Sequence, residues 1–219
     1  MGSHECRHSG RRPRIPDPSW ATYRTTIGDR SELFGNLAAA WAPATALYPG
    51  CYLDLSPSTA IPAVTYVDTD RRAACYFGSH DRVTAELRGR TRAGIDPHIE
   101  FFHNDYTTAF GLAEAAFDLL ISLYTGPLWD HCRKYLKPGG LFLANASHGD
   151  ASIAALDAHL TLVAVAHEPA ADRYHFVTDE LDSYLQPKVP AAADPDAIRR
   201  SGRGITYSRS AFAYLFQLA

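Results

Sequence analysis

Two acids and a serine stand at the ends of apolar runs in the sequence, and their types suit the recognition of a nucleoside. Asp68 ends the run AVTYVD, Asp105 follows IEFFHN, and Ser122 ends FDLLIS. An acid at a strand end, about 20 residues after a first strand-to-helix turn, can hold two ribose hydroxyls. Asp105 is placed to accept a hydrogen bond from an exocyclic amine. The chemistry predicted at these positions is therefore nucleoside binding.

Both acids also have a purely structural explanation. Asp68 is suited to cap the helix that DRRAAC predicts, because aspartate is a preferred N-cap residue. Asp105 is equally suited to an Asx-turn, in which its carboxylate accepts a hydrogen bond from the nearby backbone. The sequence alone leaves these alternatives open.

A loop poor in glycine follows the first predicted strand, in ALYPGCYLDLSP. Small residues at such a turn let the backbone approach a ligand, and nucleotide-binding turns usually carry several glycines. Here Gly50 stands alone, followed by Tyr52 and Asp54. The pattern G-x-G-x-x-G is absent, which argues against a dinucleotide. We interpret the segment as an altered cofactor loop, and a plain Pro-Gly turn is the alternative.

Tyr106, Tyr124 and His148 are the candidate catalytic residues, because each follows a predicted strand. A phenol can orient a substrate or accept a proton when its pKa is lowered, and an imidazole titrates near neutrality. The alternative is that the tyrosine rings wall a pocket and that His148 is a surface residue. The histidines predict no metal site: His98 and His103 lie five apart on an extended run and face opposite sides.

Strands that alternate with helices are expected to position these residues. The apolar runs that predict strands are ATALY, AVTYV, IEFF, FDLLISL, GLFLAN, LTLVAVA and the final SAFAYLFQL. The segments that predict helices are SELFGNLAAAW, DRRAACYFG, DRVTAELRGR, GLAEAAF, GPLWDHCRKYLKPGG and DASIAALDAH. Strands that are apolar on both faces imply a mainly parallel sheet covered on both sides.

Two segments fall outside this alternation. Residues 1–30 are predicted to form a flexible N-terminal arm or lid, because the first 18 are basic and proline-rich. Residues 31–219 are predicted to form a single domain with an excursion at about 168–206, which is rich in Pro, Asp and Arg. We expect both segments to become ordered on ligand binding and to close the pocket.

Composition narrows the classes of partner. The chain has 219 residues and a net charge of −3, which argues against a broad nucleic-acid surface. The run LTLVAVA is far shorter than the roughly 18 residues that a membrane span needs. The four cysteines are scattered without a C-x-x-C pair, which favours a reducing cytosol. We expect a cytoplasmic protein that binds a small molecule, with no nucleic acid and no membrane as partner; a homodimer is left open.

The order of these motifs resembles the class I S-adenosylmethionine-dependent methyltransferase superfamily. The resemblance covers roughly residues 31–166 and rests on Asp68, Asp105, the FDLLIS strand and the LKPGG turn. It implies an α/β fold: a Rossmann-like three-layer sandwich with a mainly parallel seven-stranded sheet, helices on both faces and an antiparallel last strand. It also implies S-adenosylmethionine as the cofactor.

The same resemblance implies a position for each part of the cofactor. Gly50, with Tyr48, Cys51 and Asp54, would lie beside the methionine part of the cofactor. Asp68 would hold the ribose, and Asp105 and Tyr106 would flank the adenine. Thr69 and Ser122 complete the expected cofactor-binding set.

Three functions are compatible with these features. The first is a small-molecule methyltransferase, which we expect to belong to bacterial specialised metabolism. The second uses S-adenosylmethionine itself as substrate, by cyclisation or elimination of its aminocarboxypropyl group with release of methylthioadenosine. The third is a non-catalytic binding protein with the same fold.

Overall fold

The computed structural model describes residues 18–219, and the part of the predicted arm before residue 18 lies outside the described residues. Eight strands form one sheet. They are β1 (Thr45–Pro49), β2 (Ala63–Asp68), β3 (His98–His103), β4 (Phe117–Ser122), β5 (Leu136–Ala144), β6 (Leu160–Ala170), β7 (Arg173–Val177) and β8 (Ala213–Leu218). Their order across the sheet is β3-β2-β1-β4-β5-β8-β6-β7.

The strand directions decide which loops meet at one edge. Strands β1 to β5 are parallel, β8 is antiparallel to β5, and β6 is antiparallel to β8. Strand β6 therefore runs the same way as β1 to β5, whereas β7 runs against β6. Consequently the carboxyl ends of β1 to β6 share an edge with the amino ends of β7 and β8. We call it the carboxyl edge.

Seven α-helices of the described chain connect the strands and cover the sheet. They are α1 (Trp20–Ile27), α2 (Ser31–Trp41), α3 (Arg71–Phe77), α4 (His80–Leu87), α5 (Trp129–Cys132), α6 (Asp150–Leu156) and α7 (Pro195–Ser201). Helix α2 has its apolar residues Leu33, Phe34 and Leu37 on one buried face. That spacing forms an apolar stripe, which packs on the sheet.

Two hydrophobic cores lie on opposite faces of the sheet. Alternate residues of β1 divide between them: Ala46 and Tyr48 belong to the core under α1 to α4, and Leu47 belongs to the other. This alternation follows from the two-residue period of a strand. The molecule is thus a three-layer α/β sandwich, and the predicted fold class is confirmed.

The structure corrects three details of the predicted elements. The helix predicted from GPLWDHCRKYLKPGG is limited to α5 and a short 3-10 turn, and LKPGG begins β5 because it pairs with β4. The sheet has eight strands rather than seven, because RYHFV inside the predicted excursion forms β7. The helix predicted from GLAEAAF is wrong: Ala115 has a left-handed φ of 49°, and the N–H groups of Ala115 and Ala116 donate to Lys134 and Tyr135 carbonyls. Long-range backbone pairing overrides the helix propensity of this alanine-rich segment.

The remaining predicted lid residues have regular structure where they are described. Residues 20–27 form α1, whose Trp20 is fully buried and whose Ala21 N–H donates to Glu86 Oε2 at 2.7 Å. The excursion at 168–206 contains the end of β6, all of β7, and helix α7. Its later part packs on helix α6, where the Ile205 N–H donates to Ser152 Oγ at 2.8 Å.

Candidate functional site

The predicted site residues lie along the carboxyl edge, on both sides of the point where the strand order reverses. Strands β1 and β4 are neighbours, with β2 and β3 beyond one and β5 beyond the other. In open α/β sheets, ligands bind in the crevice outside the carboxyl ends of the strands at such a reversal. The loops after β1, β2, β3 and β4 are therefore the candidate ligand-binding loops.

The loop after β1 needs glycine at position 50 for two reasons. Gly50 has a φ of +67°, and its N–H donates to the Val67 carbonyl at 2.7 Å. A β-carbon on Gly50 would overlap the Thr125 methyl group and lie 2.7 Å from the Thr125 hydroxyl. Backbone conformation and close approach thus both exclude a side chain. Cys51, the next residue, is buried, and burial raises its pKa well above the ordinary value.

Tyr52 stands where a second glycine was expected and is held from several directions. It has a left-handed φ of 45°, and its N–H donates to Asp68 Oδ2 at 2.7 Å. Its ring packs edge-on against Tyr23, with centroids 4.9 Å apart. The Arg72 guanidinium lies over the same ring at 5.2 Å. Side-chain contacts therefore fix the loop conformation that glycine would otherwise permit.

A buried ion pair anchors the far end of this loop. Arg30 Nη1 lies 3.0 Å from Asp54 Oδ2, and the two side chains are 3% and 1% exposed. Asp54 Oδ1 accepts from the Ser56 N–H at 3.0 Å, and the Tyr48 hydroxyl donates to Asp54 Oδ2 at 3.3 Å. Burial raises the pKa of Tyr48 well above its ordinary value, so it stays a neutral donor. Asp54 and Tyr48 therefore hold Arg30.

Asp68 is the acid of the site that keeps free hydrogen-bonding capacity at a half-buried position. Its Oδ2 accepts from the Tyr52 N–H, and its Oδ1 accepts from the Asp70 N–H at 2.8 Å. Asp70, not Asp68, is the N-cap of α3, because Asp70 Oδ1 accepts from the Arg72 N–H at 2.7 Å. The neighbouring Thr69 is exposed, and its carbonyl accepts from His103 Nε2 at 2.9 Å.

The residues after β3 combine a local turn with a half-buried phenol. Asp105 Oδ1 accepts from the Thr107 N–H at 2.9 Å, which is the Asx-turn foreseen as the alternative, and these bonds lower the Asp105 pKa. Its other carboxylate oxygen points to no protein partner among the hydrogen bonds of the described residues. Burial raises the pKa of Tyr106, helped by the nearby Asp150 carboxylate. Tyr106 is therefore a neutral phenol at neutral pH.

The loop after β4 is closed at its base by Asp150 at the start of α6. Ser122 Oγ donates to Asp150 Oδ2 at 2.5 Å, and the Leu128 and Trp129 N–H groups donate to the same carboxylate at 2.9 and 3.1 Å. The Ser122 hydroxyl therefore donates its one hydrogen bond to Asp150. Burial raises the Asp150 pKa although these bonds oppose the shift. We call residues 123–127 the arch.

Three aromatic side chains meet at this edge, one from the arch, one from the residue before β8 and one from β7. Tyr124 is 54% exposed with a φ of +59°, and its ring lies 6.3 Å from that of Phe212, which precedes β8. Phe212 in turn contacts Tyr174 of β7 with centroids 5.0 Å apart. The Arg30 guanidinium lies 5.1 Å from the Tyr124 ring centre. The Tyr174 hydroxyl donates to Glu168 at 3.1 Å. We call Tyr124, Phe212 and Tyr174 the aromatic wall.

Sequence reasoning missed Arg30, Thr125 and Phe212 as members of this region. Arg30 precedes a helix and Phe212 precedes a strand, so nothing local distinguishes them. The one usable signal for Thr125 was its place three residues after Ser122, at a strand end. His148 is exposed in the turn after β5, and the structure describes no contact that joins it to the tyrosines.

Residues 18–219 contain neither a cluster of metal ligands nor a membrane-spanning helix. In that range no group of three or more His, Cys, Asp or Glu side chains is arranged to hold a metal ion. Over the same residues, no helix is both long and apolar enough to cross a membrane.

Comparisons with known proteins identify the fold. No model of a protein family matches the chain, and no curated protein matches its sequence. Among solved structures, a methyltransferase from Geobacter sulfurreducens is 14% identical, with a TM-score of 0.50 over 72% of this chain and 84% of that chain. This likeness shows the fold alone, which is the Rossmann-like three-layer α/β sandwich predicted from the sequence.

Two further solved structures are similar to the chain at lower TM-scores. A Burkholderia thailandensis 1,6-didemethyltoxoflavin N1-methyltransferase, solved with its substrate and S-adenosylhomocysteine, is 15% identical over 90% of this chain and 81% of that chain, with a TM-score of 0.39. The [4+2]-cyclase SpnF is 14% identical, with a TM-score of 0.39 over 52% of this chain. The match spans 44% of the length of SpnF.

Proposed function

We propose that the protein is an S-adenosylmethionine-dependent methyltransferase that acts on a small molecule. The observation that carries this proposal is Asp68, a half-buried carboxylate at the carboxyl end of β2 beside the strand reversal. Each of its oxygens accepts one backbone N–H. Because a carboxylate offers about four acceptor positions, about two remain for the hydroxyls of a ribose. The class I fold supports the proposal.

The other predicted cofactor residues divide into those that would touch the cofactor and those that would support it. We assign Asp68 and Thr69 to the ribose, Asp105 and Tyr106 to the adenine, and the backbone of Gly50 and Cys51 to the methionine part. Tyr48 and Asp54 act through Arg30, which they hold beneath the loop. Ser122 acts through Asp150, which closes the arch. These last three residues position the site rather than contact the ligand.

When bound, S-adenosylmethionine supplies an electrophilic methyl group on a positively charged sulfur. The chain has to orient an acceptor toward that methyl group and to exclude water. We assign this task to the aromatic wall, because Tyr124 is exposed and lies at the carboxyl edge. Aromatic faces also favour a nearby cation, which suits the sulfonium.

A protonated acceptor needs a group that takes its proton. Tyr106 is a poor candidate for that step because burial raises its pKa, so we assign its ring to the wall of the adenine pocket. Tyr124 and His148 remain the candidates, and histidine is the side chain that most often serves as a general base. We propose that His148, exposed in the turn after β5, accepts the proton.

Calorimetry with S-adenosylhomocysteine tests the proposed role of Asp68. We expect Asp68→Asn to weaken binding about 10- to 100-fold, because a charge-assisted hydrogen bond is worth about 1.5–3 kcal/mol. The amide oxygen retains an acceptor for the loop, so the fold should persist. Asp96→Asn, an exposed acid before β3 at the opposite edge, is the matched control and should bind normally. Absence of binding by the wild-type protein at millimolar ligand contradicts the proposal.

The crowded loop after β1 favours one alternative, reaction of the aminocarboxypropyl part of S-adenosylmethionine. Thr125 covers Gly50, where that part is expected. Product analysis after incubation with S-adenosylmethionine alone separates the two reactions. Methylthioadenosine formed without an acceptor supports the alternative, whereas unchanged S-adenosylmethionine contradicts it.

A further inference from the structure

The arch touches the loop after β1 through Thr125. The Thr125 side chain is 8% exposed, and its hydroxyl lies 3.4 Å from the carbonyl oxygens of both Pro49 and Gly50. Its methyl group occupies the space where a β-carbon of Gly50 would stand. The position that a Gly50 side chain would take is therefore filled by Thr125, which follows a different strand, β4.

The arch also touches the residues after β3. A β-carbon added to Gly126 would lie 3.2 Å from the Tyr106 hydroxyl. Thr125 and Gly126 are adjacent, so the arch extends from the loop after β1 to the loop after β3. Asp68, by contrast, lies on β2 and is bonded to the backbone of Tyr52 and Asp70, not to the arch.

The base of the arch is fixed while its centre is not. Asp150 binds Ser122 before the arch and Leu128 after it. Within the arch, the Tyr124 N–H makes a 3.3 Å bond to Asn145 Oδ1, and the Thr125 hydroxyl bonds of 3.4 Å are long. Tyr124 also has the left-handed φ that most residues avoid. Displacement of the centre would therefore break few strong bonds.

We propose that Thr125 determines how strongly the site binds the amino-acid tail of its ligand. Compared with a site in which the arch is displaced, this site favours nucleosides that lack such a tail. The inference rests on the proposed function. A tail that approaches the Gly50 backbone must displace the Thr125 side chain, whereas a nucleoside held at Asp68 does not meet it. The cost of displacement lowers the affinity only of the ligand that needs the open arch.

Calorimetry with two ligands tests the inference. Methylthioadenosine carries the nucleoside with a methyl group on sulfur, and S-adenosylhomocysteine carries the same nucleoside with the full tail. We expect Thr125→Ala to tighten S-adenosylhomocysteine binding about tenfold and to change methylthioadenosine binding less than about twofold. Thr125→Val keeps the bulk and removes the hydroxyl, so it should keep the wild-type ratio of the two affinities. Thr125→Ser, which removes the overlapping methyl group, is a milder second variant should Thr125→Ala fail to fold.

The outcomes separate this inference from the proposed function. If both ligands bind and the ratio of their affinities is the same in the wild-type, Ala and Ser proteins, Thr125 does not control the tail and the inference is wrong. A ratio that changes equally in Thr125→Val also overturns it, because the hydroxyl rather than the bulk would then be responsible. If neither ligand binds any folded variant, the proposed function fails and the inference fails with it.

Discussion

The two halves of the carboxyl edge are built differently. Beyond β2 and β3, Asp68 is half-buried, Asp105 is exposed, and both carboxylates are oriented by backbone N–H groups. Beyond β1 and β4, Asp54 is bound to Arg30 in the interior, and Thr125 covers Gly50. The first half leaves polar atoms available to a ligand. The second half replaces the small residues of a glycine-rich loop with packed side chains, so its polar groups serve the loop itself.

The largest difference between the halves should be in stability, at the buried ion pair. Asp54→Asn leaves the Arg30 guanidinium buried without a counter-charge, so we expect a loss of about 3–5 kcal/mol in the free energy of unfolding, measured by urea denaturation. Arg199→Ala removes an exposed pair with Asp130, in which the side chains are 42% and 38% exposed, and should cost about 0.2–1 kcal/mol.

A double variant tests whether the charge is the cause. Arg30→Met combined with Asp54→Asn removes both charges and keeps an acceptor for the Ser56 N–H, so it should recover most of the stability lost in Asp54→Asn alone. Equal losses in Asp54→Asn and Arg199→Ala would show that the ion pair does not anchor the loop.

A second effect should separate backbone strain from side-chain packing at Gly50. Gly50→Ala meets a φ of +67° and the Thr125 side chain, so we expect a loss of about 2–4 kcal/mol. Gly139→Ala, at a φ of +75° with nothing near its β-carbon, reports the strain alone and should cost about 1 kcal/mol. Urea denaturation measures both.

The same pair of glycines gives an internal check. The double variant Gly50→Ala with Thr125→Ala should lose about as much free energy of unfolding as Gly139→Ala does. If Gly50→Ala already costs no more than Gly139→Ala, Thr125 does not pack on Gly50 as described.

The pH dependence of stability should distinguish Asp150, beneath the arch, from an acid at the opposite edge. Burial raises the Asp150 pKa above 3.8, so the folded protein holds this proton more tightly than the unfolded chain does. The contribution of Asp150 is therefore full below about pH 3.8 and is lost as pH rises through the raised pKa. Relative to Asp150→Asn, the wild-type protein should lose about 1.4 kcal/mol for each unit by which the pKa is raised.

Asp118→Asn is the control for that titration. Although partial burial opposes the shift, Lys137 and Thr45 lower the Asp118 pKa, so its contribution is lost only as pH falls below the usual value of 3.8. Urea denaturation between about pH 4 and about pH 7 should therefore show a constant difference between this variant and the wild-type protein. A constant difference for Asp150→Asn as well would contradict the raised pKa.

The smallest effect is expected at Tyr106, a half-buried residue that follows β3 on the same half of the carboxyl edge as Asp68 and Asp105. Tyr106→Phe keeps the ring and should change the affinity for S-adenosylhomocysteine less than about threefold, whereas Tyr106→Ala should weaken it more. Calorimetry measures both. Equal weakening in the two variants would show that the hydroxyl, not the ring, makes the contact.

The sequence predicts the inner strands of the sheet well and its last edge poorly. All seven apolar runs are strands, and those inside the sheet are continuously apolar because both of their faces are buried. Strand β7 has exposed Arg173 and His175 at the edge of the sheet, so its alternating pattern resembled the polar segment around it. The strand period was present, but the composition of its neighbours concealed it.

The site divides in the same way. Asp68 and Gly50 could be predicted because each stands at a strand end with a recognisable role. The pairing of Arg30 with Asp54 joins residues 24 apart, and that of Thr125 with Gly50 joins residues 75 apart. Neither contact leaves a local pattern, so only the packed fold reveals which side chains fill the loop.

A crystal structure of the complex with S-adenosylhomocysteine tests the central contrast most directly. We expect the ribose hydroxyls within hydrogen-bond distance of Asp68, with Asp68 still bound to the Tyr52 backbone. We also expect Thr125 to have moved away from Gly50 wherever the amino-acid tail is ordered. A ligand bound away from Asp68, or an ordered tail with Thr125 still packed on Gly50, would contradict the account.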